Sequence, residues 1–240
     1  GSISKQHLEN GGDIIWQIGT GYFGCRNSDG SFCDESFANR ATDDVVKMIE
    51  VKLSQGAKPS HGGVLPGAKV TKEIAEIRLV DLGKTVFSPP THPEFDSPMG
   101  LLQFVKRLRE LSGGKPVGFK LCIGRKSEFM AIVKAMLESK ILPDFITIDG
   151  AEGGTGAAPV EFSNRLGTPC LEATYFVNQV LKGAGIRQHI RLISSGYTST
   201  GFDMLEKIVL GADTVNAARS MMMALGCIQA KACHTNHCPT

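Results

Sequence analysis

Three cysteines lie within twelve residues near the end of the sequence, and thiols at this density suggest a metal centre. They are Cys227, Cys233 and Cys238, with His234 and His237 beside them. Thiolates are the preferred ligands of iron–sulfur clusters and common ligands of zinc. The spacing differs from the closely paired cysteines of common zinc sites, yet a Cys3His zinc site would use the same residue types. An iron–sulfur cluster, a zinc site and a group of unrelated thiols therefore all stay open.

A glycine-rich segment follows an apolar run that ends at Asp149. Its members are Gly153, Gly154, Thr155 and Gly156. Because glycine has no side chain, backbone N–H groups in such a loop can approach a ligand closely. Sites of α/β barrels are built where the strands end. The segment predicts a cofactor-binding loop, although many flexible loops between a strand and a helix share this composition.

Two segments further along the chain fit a phosphate site. The first contains Ser195, Gly196 and Tyr197, and the second contains Ala217, Ala218 and Arg219. In (β/α)8 barrels the loops after the last two strands commonly bind phosphate, and an arginine adds a charged hydrogen bond. We predict that both loops bind a phosphate group. The alternative for Arg219 is a solvated residue at the start of a helix.

Lys120 lies within an otherwise apolar predicted strand. Burying an ammonium group costs free energy unless the group meets a partner. We expect Lys120 to point into the mouth of a barrel, toward an anionic ligand or the electron-rich pyrimidine edge of a flavin. The alternative is that its long side chain reaches solvent.

Short apolar strands alternating with amphipathic helices would position these residues. Seven strands are predicted, at residues 13–20, 46–53, 84–88, 116–123, 144–149, 190–195 and 213–218. Helix starts are predicted at Ser97, Ser127 and Thr200, which are residue types that cap helix N-termini. Repetition of strand, helix and strand predicts parallel βαβ units.

Two architectures contain such units, a doubly wound sheet and a (β/α)8 barrel of the TIM type. A complete barrel has eight strands in about 250 residues. We therefore predict one α/β domain over residues 1–240, an incomplete (β/α)8 barrel whose first strand is missing.

The composition excludes several classes of protein. The chain has a net charge of +2 and 42% hydrophobic residues, so disorder is excluded, and we expect no nucleic-acid partner. No apolar run approaches the ~18 residues of a membrane span, and we expect no membrane association. Seven cysteines in 240 residues are unlike a secreted disulfide framework. We predict a reducing compartment and a cytoplasmic location.

Several motifs, in their order along the chain, resemble the synthase domain of the glutamate synthase family. Residues 226–230, 233–236 and 238–240 resemble that family's iron–sulfur segment. The other matching segments are residues 1–4, 55–59, 65–67, 88–92 and 153–159. The resemblance covers essentially the whole chain, and the ordered set is more specific than any single motif.

The resemblance implies an FMN-dependent barrel with a 3Fe–4S cluster. Its ligands would be Cys227, Cys233 and Cys238, in the segment 227–240. FMN would lie at the mouth of the barrel, with its phosphate at the two loops described above and its ring near Gln55, Lys120 and the loop 153–156. Residues 1–4 resemble the family's first flavin loop, which adds Ser2 to the cofactor-binding residues.

The resemblance also implies a reaction. Family members reduce the imine formed from 2-oxoglutarate and ammonia with hydride from reduced FMN, and electrons arrive through the cluster. We thus predict a glutamate-synthase-like oxidoreductase acting on CH–NH2 donors, in glutamate biosynthesis and nitrogen metabolism, with Lys120 as a catalytic residue. An electron-donor protein or subunit is an expected partner.

The sequence departs from the family at the substrate. Where the family has Lys-Pro-Gly-Glu-Gly-Gly-Gln, residues 58–64 of this chain are Lys-Pro-Ser-His-Gly-Gly-Val. His61 and Val64 thus replace an acidic residue and a glutamine that lie near the substrate in the family. Glu152 replaces an aspartate. The 2-oxo or imino acid substrate is therefore left open, and His61 becomes a second catalytic candidate, which would bind the acid through its imidazolium. The alternative is that His61 only fills the loop.

The alternative function is a non-catalytic remnant of the family that keeps the fold and serves as an interaction module. A barrel without one strand has two unpaired sheet edges, so we expect a homo-oligomer or a further chain that completes the barrel. Motifs at both termini resemble segments that continue in the family. We therefore expect residues 1–240 to be a truncated domain.

Overall fold

The computed structural model describes residues 2–54, 62–153, 161–162, 164–230, 232 and 237–239. Two compact units make up the chain. The first comprises residues 1–53 and 60–119, and the second comprises residues 54–59 and 120–240. The single domain over residues 1–240 stays a prediction.

The first unit contains two adjacent strands, a small hairpin and several helices. Strand β1 (Ile14–Ile18) pairs in parallel with β2 (Val46–Lys52). The hairpin consists of β3 (Val64–Leu65) and β4 (Val86–Phe87), which are antiparallel. The helices are α1 (Lys5–Glu9), α2 (Asp34–Ala41), α3 (Lys72–Arg78) and α4 (Pro98–Leu111).

Aromatic rings fill the core of this unit and enclose a histidine. Trp16 stacks on Phe37 with ring centroids 5.3 Å apart. His92 is buried, with Nε2 2.9 Å from the Lys52 carbonyl and Nδ1 3.1 Å from the Tyr22 hydroxyl. Because a carbonyl can only accept, Nε2 carries the proton and Nδ1 accepts from Tyr22. Burial lowers the pKa of His92, so the ring is neutral at about pH 7.

The second unit repeats strand and helix along the chain. Its strands are β5 (Val117–Leu121), which crosses the boundary between the units, β6 (Phe145–Asp149), β7 (Arg191–Ser195) and β8 (Thr214–Asn216). Its helices are α5 (Lys126–Ser139), α6 (Cys170–Gly183), α7 (Gly201–Val209) and α8 (Ala218–Ala224). β7 pairs in parallel with both β6 and β8. Over the residues that the structure describes, no helix has both the length and the apolar character needed to cross a membrane.

Arg187 connects α6 to the segments that lead into β7 and β8. Its guanidinium donates to Asn178 Oδ1 at 2.9 Å, to the carbonyls of Ile190 at 2.8 Å and Gly211 at 2.7 Å, and to Asp213 Oδ2 at 2.8 Å. A Cβ at Gly211 would lie 2.1 Å from the Asn178 amide nitrogen, and φ there is +115°. Glycine is therefore required at this position. The network fixes the amino ends of two strands whose other ends form the site described below.

The order of strands in the sheet distinguishes the two predicted architectures. The hydrogen-bonded order is β1-β2-β5-β6-β7-β8. It follows the order along the chain throughout, as in a (β/α)8 barrel, whereas a doubly wound sheet reverses its order at a switch point. The predicted fold class, an incomplete (β/α)8 barrel, is confirmed.

One predicted barrel strand is wrong. The run at residues 84–88 contributes only Val86–Phe87, which pair with β3 outside the main sheet. The described residues therefore supply six barrel strands rather than the predicted seven. Phe87 is 74% exposed, so this run does not enter the sheet core. A short apolar run is compatible with a buried strand and with a surface hairpin alike, and periodicity alone cannot separate them.

Two of the three predicted helix starts are confirmed. The Ser97 hydroxyl accepts a hydrogen bond from the Gly100 N–H at 3.2 Å, before α4. Before α7, Thr200 Oγ1 accepts from the Asp203 N–H at 3.2 Å, and the Asp203 carboxylate accepts from the Thr200 N–H at 2.8 Å. The third is wrong, because α5 starts at Lys126 after the N-cap Arg125, which places Ser127 inside the first turn.

Candidate cofactor site

A cavity of about 200 Å³ lies at the carboxyl ends of β5, β6, β7 and β8 in the second unit. Its lining residues are Lys120, Asp149, Gly153, Ser195, Gly196, Tyr197, Thr198, Asn216, Ala218 and Arg219. Most of these are predicted site residues, brought together from four segments of the chain. Asp149, Thr198 and Asn216 were not predicted. Each follows or ends a strand, which is the only signal in the sequence that pointed to them.

Lys120 faces an acidic partner inside this cavity. Its Nζ lies 3.6 Å from Asp149 Oδ2, and the two side chains are only 16% and 6% exposed. The strand therefore directs Lys120 into the cavity, as expected, and not toward bulk solvent. An ammonium has three donors, so Lys120 can hold Asp149 and a ligand at once.

Gly153 makes room for the Asp149 carboxylate. A Cβ at this position would lie 2.0 Å from Asp149 Oδ1, so a larger residue would displace the partner of Lys120. The rest of the predicted loop, Gly154, Thr155 and Gly156, lies outside the described residues. Gln55 and His61 also lie outside them. These five positions stay predictions.

The loop after β7 offers backbone donors to the cavity. Gly196 has φ +127° and Tyr197 has φ +49°, so two consecutive residues are in the left-handed half of backbone space. Within the described part of the chain, the N–H groups of Gly196, Tyr197 and Thr198 donate to no protein acceptor. Consecutive N–H groups of this kind form anion-binding concavities. The predicted phosphate loop thus has the donors that a phosphate needs.

Arg219 is exposed, yet its guanidinium has fixed neighbours. Its Nη2 donates to the Glu152 carbonyl at 2.8 Å, and its guanidinium carbon lies 5.8 Å from the centre of the Tyr197 ring. Both contacts direct it along the cavity wall. The carboxylate of Glu152 in turn accepts from the Cys170 N–H at 3.0 Å, the first N–H of α6. A carboxylate is favourable at a helix N-terminus, so Glu152 has a local structural role.

Two predicted cofactor-binding residues are not part of this cavity. Ala217 directly precedes α8 and does not line the cavity. Ser2 belongs to the first unit, where it lies beside Gly24. Their predicted contacts with a cofactor stay predictions.

The cysteine-rich segment is only partly described. Cys227 is partly exposed and Cys238 is exposed, while Cys233 lies outside the described residues. Among the residues that the structure describes, no group of three or more metal-ligating side chains is found. The three-cysteine set therefore stays a prediction, with two of its members placed on the surface.

A second cavity of about 460 Å³ adjoins the same loop from another side and includes residues that sequence reasoning missed. Gly196 and Tyr197 line both cavities, whereas Cys170 and Lys207 line only the second. The Cys170 thiol lies 3.2 Å from the Ser194 hydroxyl, and burial raises the pKa of Cys170. This thiol is therefore a protonated packing group. Lys207 had no distinguishing feature in the sequence beyond its place in a strongly amphipathic helix.

Comparison with known proteins gives one consistent result. Residues 1–240 match the family model described as a conserved region in glutamate synthase. The chain is 45% identical over 239 residues to the glutamate synthase large subunit-like protein YerD of Bacillus subtilis (strain 168), covering 100% of this chain and 45% of YerD. It is 35% identical over 239 residues to the archaeal glutamate synthase (NADPH) of Methanocaldococcus jannaschii, covering 99% of this chain and 44% of that protein.

Among solved structures, DHODH from Eimeria tenella in complex with ferulenol matches with a TM-score of 0.47 and 12% sequence identity, over 82% of this chain and 51% of that chain. The chain spans about 45% of the length of these two curated relatives.

Proposed function

The chain belongs to the glutamate synthase family, and we propose that it is the FMN-binding part of an oxidoreductase that reduces the imine of a 2-oxo acid. The observation that carries the proposal is the cavity at the strand ends, where two cations meet backbone N–H groups that have no acceptor among the described residues. Since the chain covers less than half of its relatives, the activity of the whole protein is part of the proposal.

The residues of the cavity fit FMN. The N–H groups of the loop after β7 and the guanidinium of Arg219 are all donors, which suits a phosphate dianion. Lys120 is a cation on the neighbouring wall, which suits the electron-rich edge of the flavin ring. The one carboxylate among the cavity residues, Asp149, already has Lys120 as its counter-ion, so it does not oppose an anionic ligand.

The chain's own residues would bind, orient and stabilise the cofactor. FMN, when bound, supplies the hydride that reduces the substrate. Arg219 and the N–H groups of Gly196 and Tyr197 would hold the phosphate. Lys120 Nζ would donate to the ring and stabilise negative charge on it, while Asp149 keeps the ammonium in place. Gly153 permits that arrangement because it leaves space for the carboxylate.

We propose a 3Fe–4S cluster as the electron carrier, with Cys227, Cys233 and Cys238 as ligands. The support is the donor set, three thiols in twelve residues, together with the family match. Iron, acid-labile sulfide and zinc analysis of anaerobically purified protein tests it, with the Cys227→Ser variant beside the wild type. We expect about three irons per chain in the wild type and fewer in Cys227→Ser. Stoichiometric zinc without sulfide would favour the Cys3His alternative.

The substrate is proposed as a small 2-oxo acid with ammonia, bound through His61. Val64, the other departure from the family, lies in β3 with 60% of its surface exposed. We do not restrict the acid to 2-oxoglutarate, because both changed residues belong to the substrate segment. A panel of 2-oxoglutarate, oxaloacetate and pyruvate, each with ammonia, distinguishes the possibilities.

Anaerobic spectroscopy of the full-length protein tests the function. We expect bound flavin, identified as FMN after release, and reoxidation of the reduced flavin when a 2-oxo acid and ammonia are added. Lys120→Met should slow reoxidation, and the exposed control Lys134→Met should not. Failure to bind FMN would refute the cofactor. Flavin binding without reoxidation by any acid of the panel would refute the reaction and favour the non-catalytic alternative.

We also propose that further polypeptide covers part of this chain, either in a longer protein or as a partner subunit. In the described sheet β1 and β8 each have one neighbour, and unpaired strand edges favour association. Apolar side chains on α7, including Phe202, Leu205 and Val209, are more than half exposed. Light scattering of the full-length protein tests for an oligomer. An electron-donor protein or domain is the second proposed partner.

A further inference from the structure

Lys207 is a buried cation on the far side of the proposed phosphate loop. It is only 2% exposed and is the buried residue of α7. Its Nζ donates to the Gly196 carbonyl at 2.7 Å and to Thr198 Oγ1. Both acceptors belong to the loop after β7, so one ammonium group fixes that loop at two points.

Burial of the Lys207 ammonium costs free energy, which other interactions must offset. Among the described residues, no carboxylate lies within ion-pair distance of Lys207, although Glu152, Asp203 and Glu206 line the second cavity beside it, and burial of an ammonium without a direct ion pair costs free energy. Phe202, Leu205 and Val209 of the same helix are exposed. On this helix a lysine is buried while apolar side chains are exposed, so packing alone does not account for the lysine at this position.

The geometry of the peptide bond connects Lys207 to the cavity. In a planar trans peptide the C=O of one residue and the N–H of the next point in opposite directions. Because Lys207 holds the Gly196 carbonyl, the Tyr197 N–H points away from Lys207. Lys207 does not line the first cavity, whereas Gly196, Tyr197 and Thr198 do. Thr198 Oγ1 accepts from Lys207, which leaves its own proton to donate elsewhere.

We propose that Lys207 is a positioning residue for the phosphate group of FMN, an inference that rests on the proposed function. It holds the loop in the conformation with positive φ at Gly196 and Tyr197, and it orients the Tyr197 N–H for donation to a phosphate monoester. The flavin ring, which lies elsewhere in the cavity under the proposed function, gains nothing from Lys207.

Comparison of FMN with riboflavin isolates this role, because riboflavin lacks the phosphate. Binding of each to the apo form of the full-length protein is measured by flavin fluorescence, for wild type, Lys207→Met and Lys207→Arg. For Lys207→Met we expect the Kd for FMN to rise about tenfold or more, the size of a lost charged hydrogen bond. The Kd for riboflavin should stay unchanged, and Lys207→Arg should recover part of the FMN affinity. Lys134→Met, on the exposed face of α5, is the matched control and should change neither Kd.

Several outcomes overturn the inference. Equal losses of FMN and riboflavin affinity in Lys207→Met would indicate a general structural role, and an unchanged Kd for FMN would indicate no role. Should Lys207→Met fail to fold, Thr198→Val removes one of the two acceptors at nearly constant shape. That variant should weaken FMN severalfold and leave riboflavin unaffected, and equal effects on both ligands again refute the proposal. A wild type that binds riboflavin as tightly as FMN refutes Lys207's role alone, whereas a wild type that binds neither refutes the proposed function as well.

Discussion

The pair formed by Lys120 and Asp149 allows a quantitative test of the site. The charges are 3.6 Å apart, and at an effective dielectric constant of about 20 two unit charges at that distance attract by about 4.6 kcal/mol. Desolvation of both groups offsets part of this energy. Lys120→Met leaves a buried carboxylate without its cation, and we expect the free energy of unfolding to fall by about 3 kcal/mol.

A double-mutant cycle separates the pair from its surroundings. Asp149→Asn should also cost about 3 kcal/mol, because it leaves a buried ammonium. The double variant should cost little more than either single one, which gives a coupling energy of about 2 to 3 kcal/mol. Urea unfolding of the four apo proteins, followed by circular dichroism, measures the three differences.

A surface pair at almost the same distance is the control. Lys134 and Glu138 on α5 are 3.7 Å apart but 77% and 58% exposed. The same cycle with Lys134→Met and Glu138→Gln should give about 0.5 kcal/mol or less, and added salt should reduce it further. If the coupling of Lys120 with Asp149 is no larger than that of the surface pair, burial does not strengthen it. The cavity would then screen the two charges as effectively as bulk solvent does.

Three other perturbations test the surrounding fold. Burial lowers the folded-state pKa of His92, so its contribution to stability is present above about pH 6.5 and is lost as the pH falls through the lowered pKa. Between about pH 7 and 5, the urea midpoint of His92→Gln should therefore fall less than that of the wild type. A midpoint with the same pH dependence in both proteins would contradict this. Burial raises the pKa of Cys25 to about 12, whereas hydrogen bonds from Ser36 lower the pKa of Cys33. A thiol reagent with mass-spectrometric readout should therefore modify Cys33 before Cys25. The reverse order of modification would contradict this prediction. Arg187→Met removes four hydrogen bonds and should lower the free energy of unfolding by about 3 kcal/mol or more. Arg187→Lys should lie between this variant and the wild type. Unchanged urea unfolding would show that the network is dispensable.

Local features of the fold could be predicted because their causes lie within a few residues. The capping box of Thr200 and Asp203 and the cap at Ser97 involve partners three residues apart, and the sequence displays such spacings directly. The run at 84–88 failed for the opposite reason. Whether a short apolar segment enters the main sheet depends on which strand it pairs with, and that partner is distant in sequence.

The candidate site was predictable as a set of strand ends but not as a set of contacts. Lys120 stood out because a charged residue interrupts an apolar strand. Its partner Asp149 comes from the next strand in the sheet, and no spacing in the chain relates the two. Lys207 was missed because a lysine on a helix is ordinarily solvated, and only the path of the loop after β7 buries it.

The sequence by itself determined the family, the fold class and the loops that face the site, since each depends on the order of motifs and on local periodicity. It also determined the residue types available there, which are donors and cations with one acidic exception. Only the tertiary structure decided which of them meet. Strand pairing aligns the ends of β5, β6, β7 and β8, and this alignment pairs Lys120 with Asp149 and places Lys207 behind Gly196. Such contacts arise from the path of the chain in space, because residues distant in sequence become neighbours only once the sheet has formed.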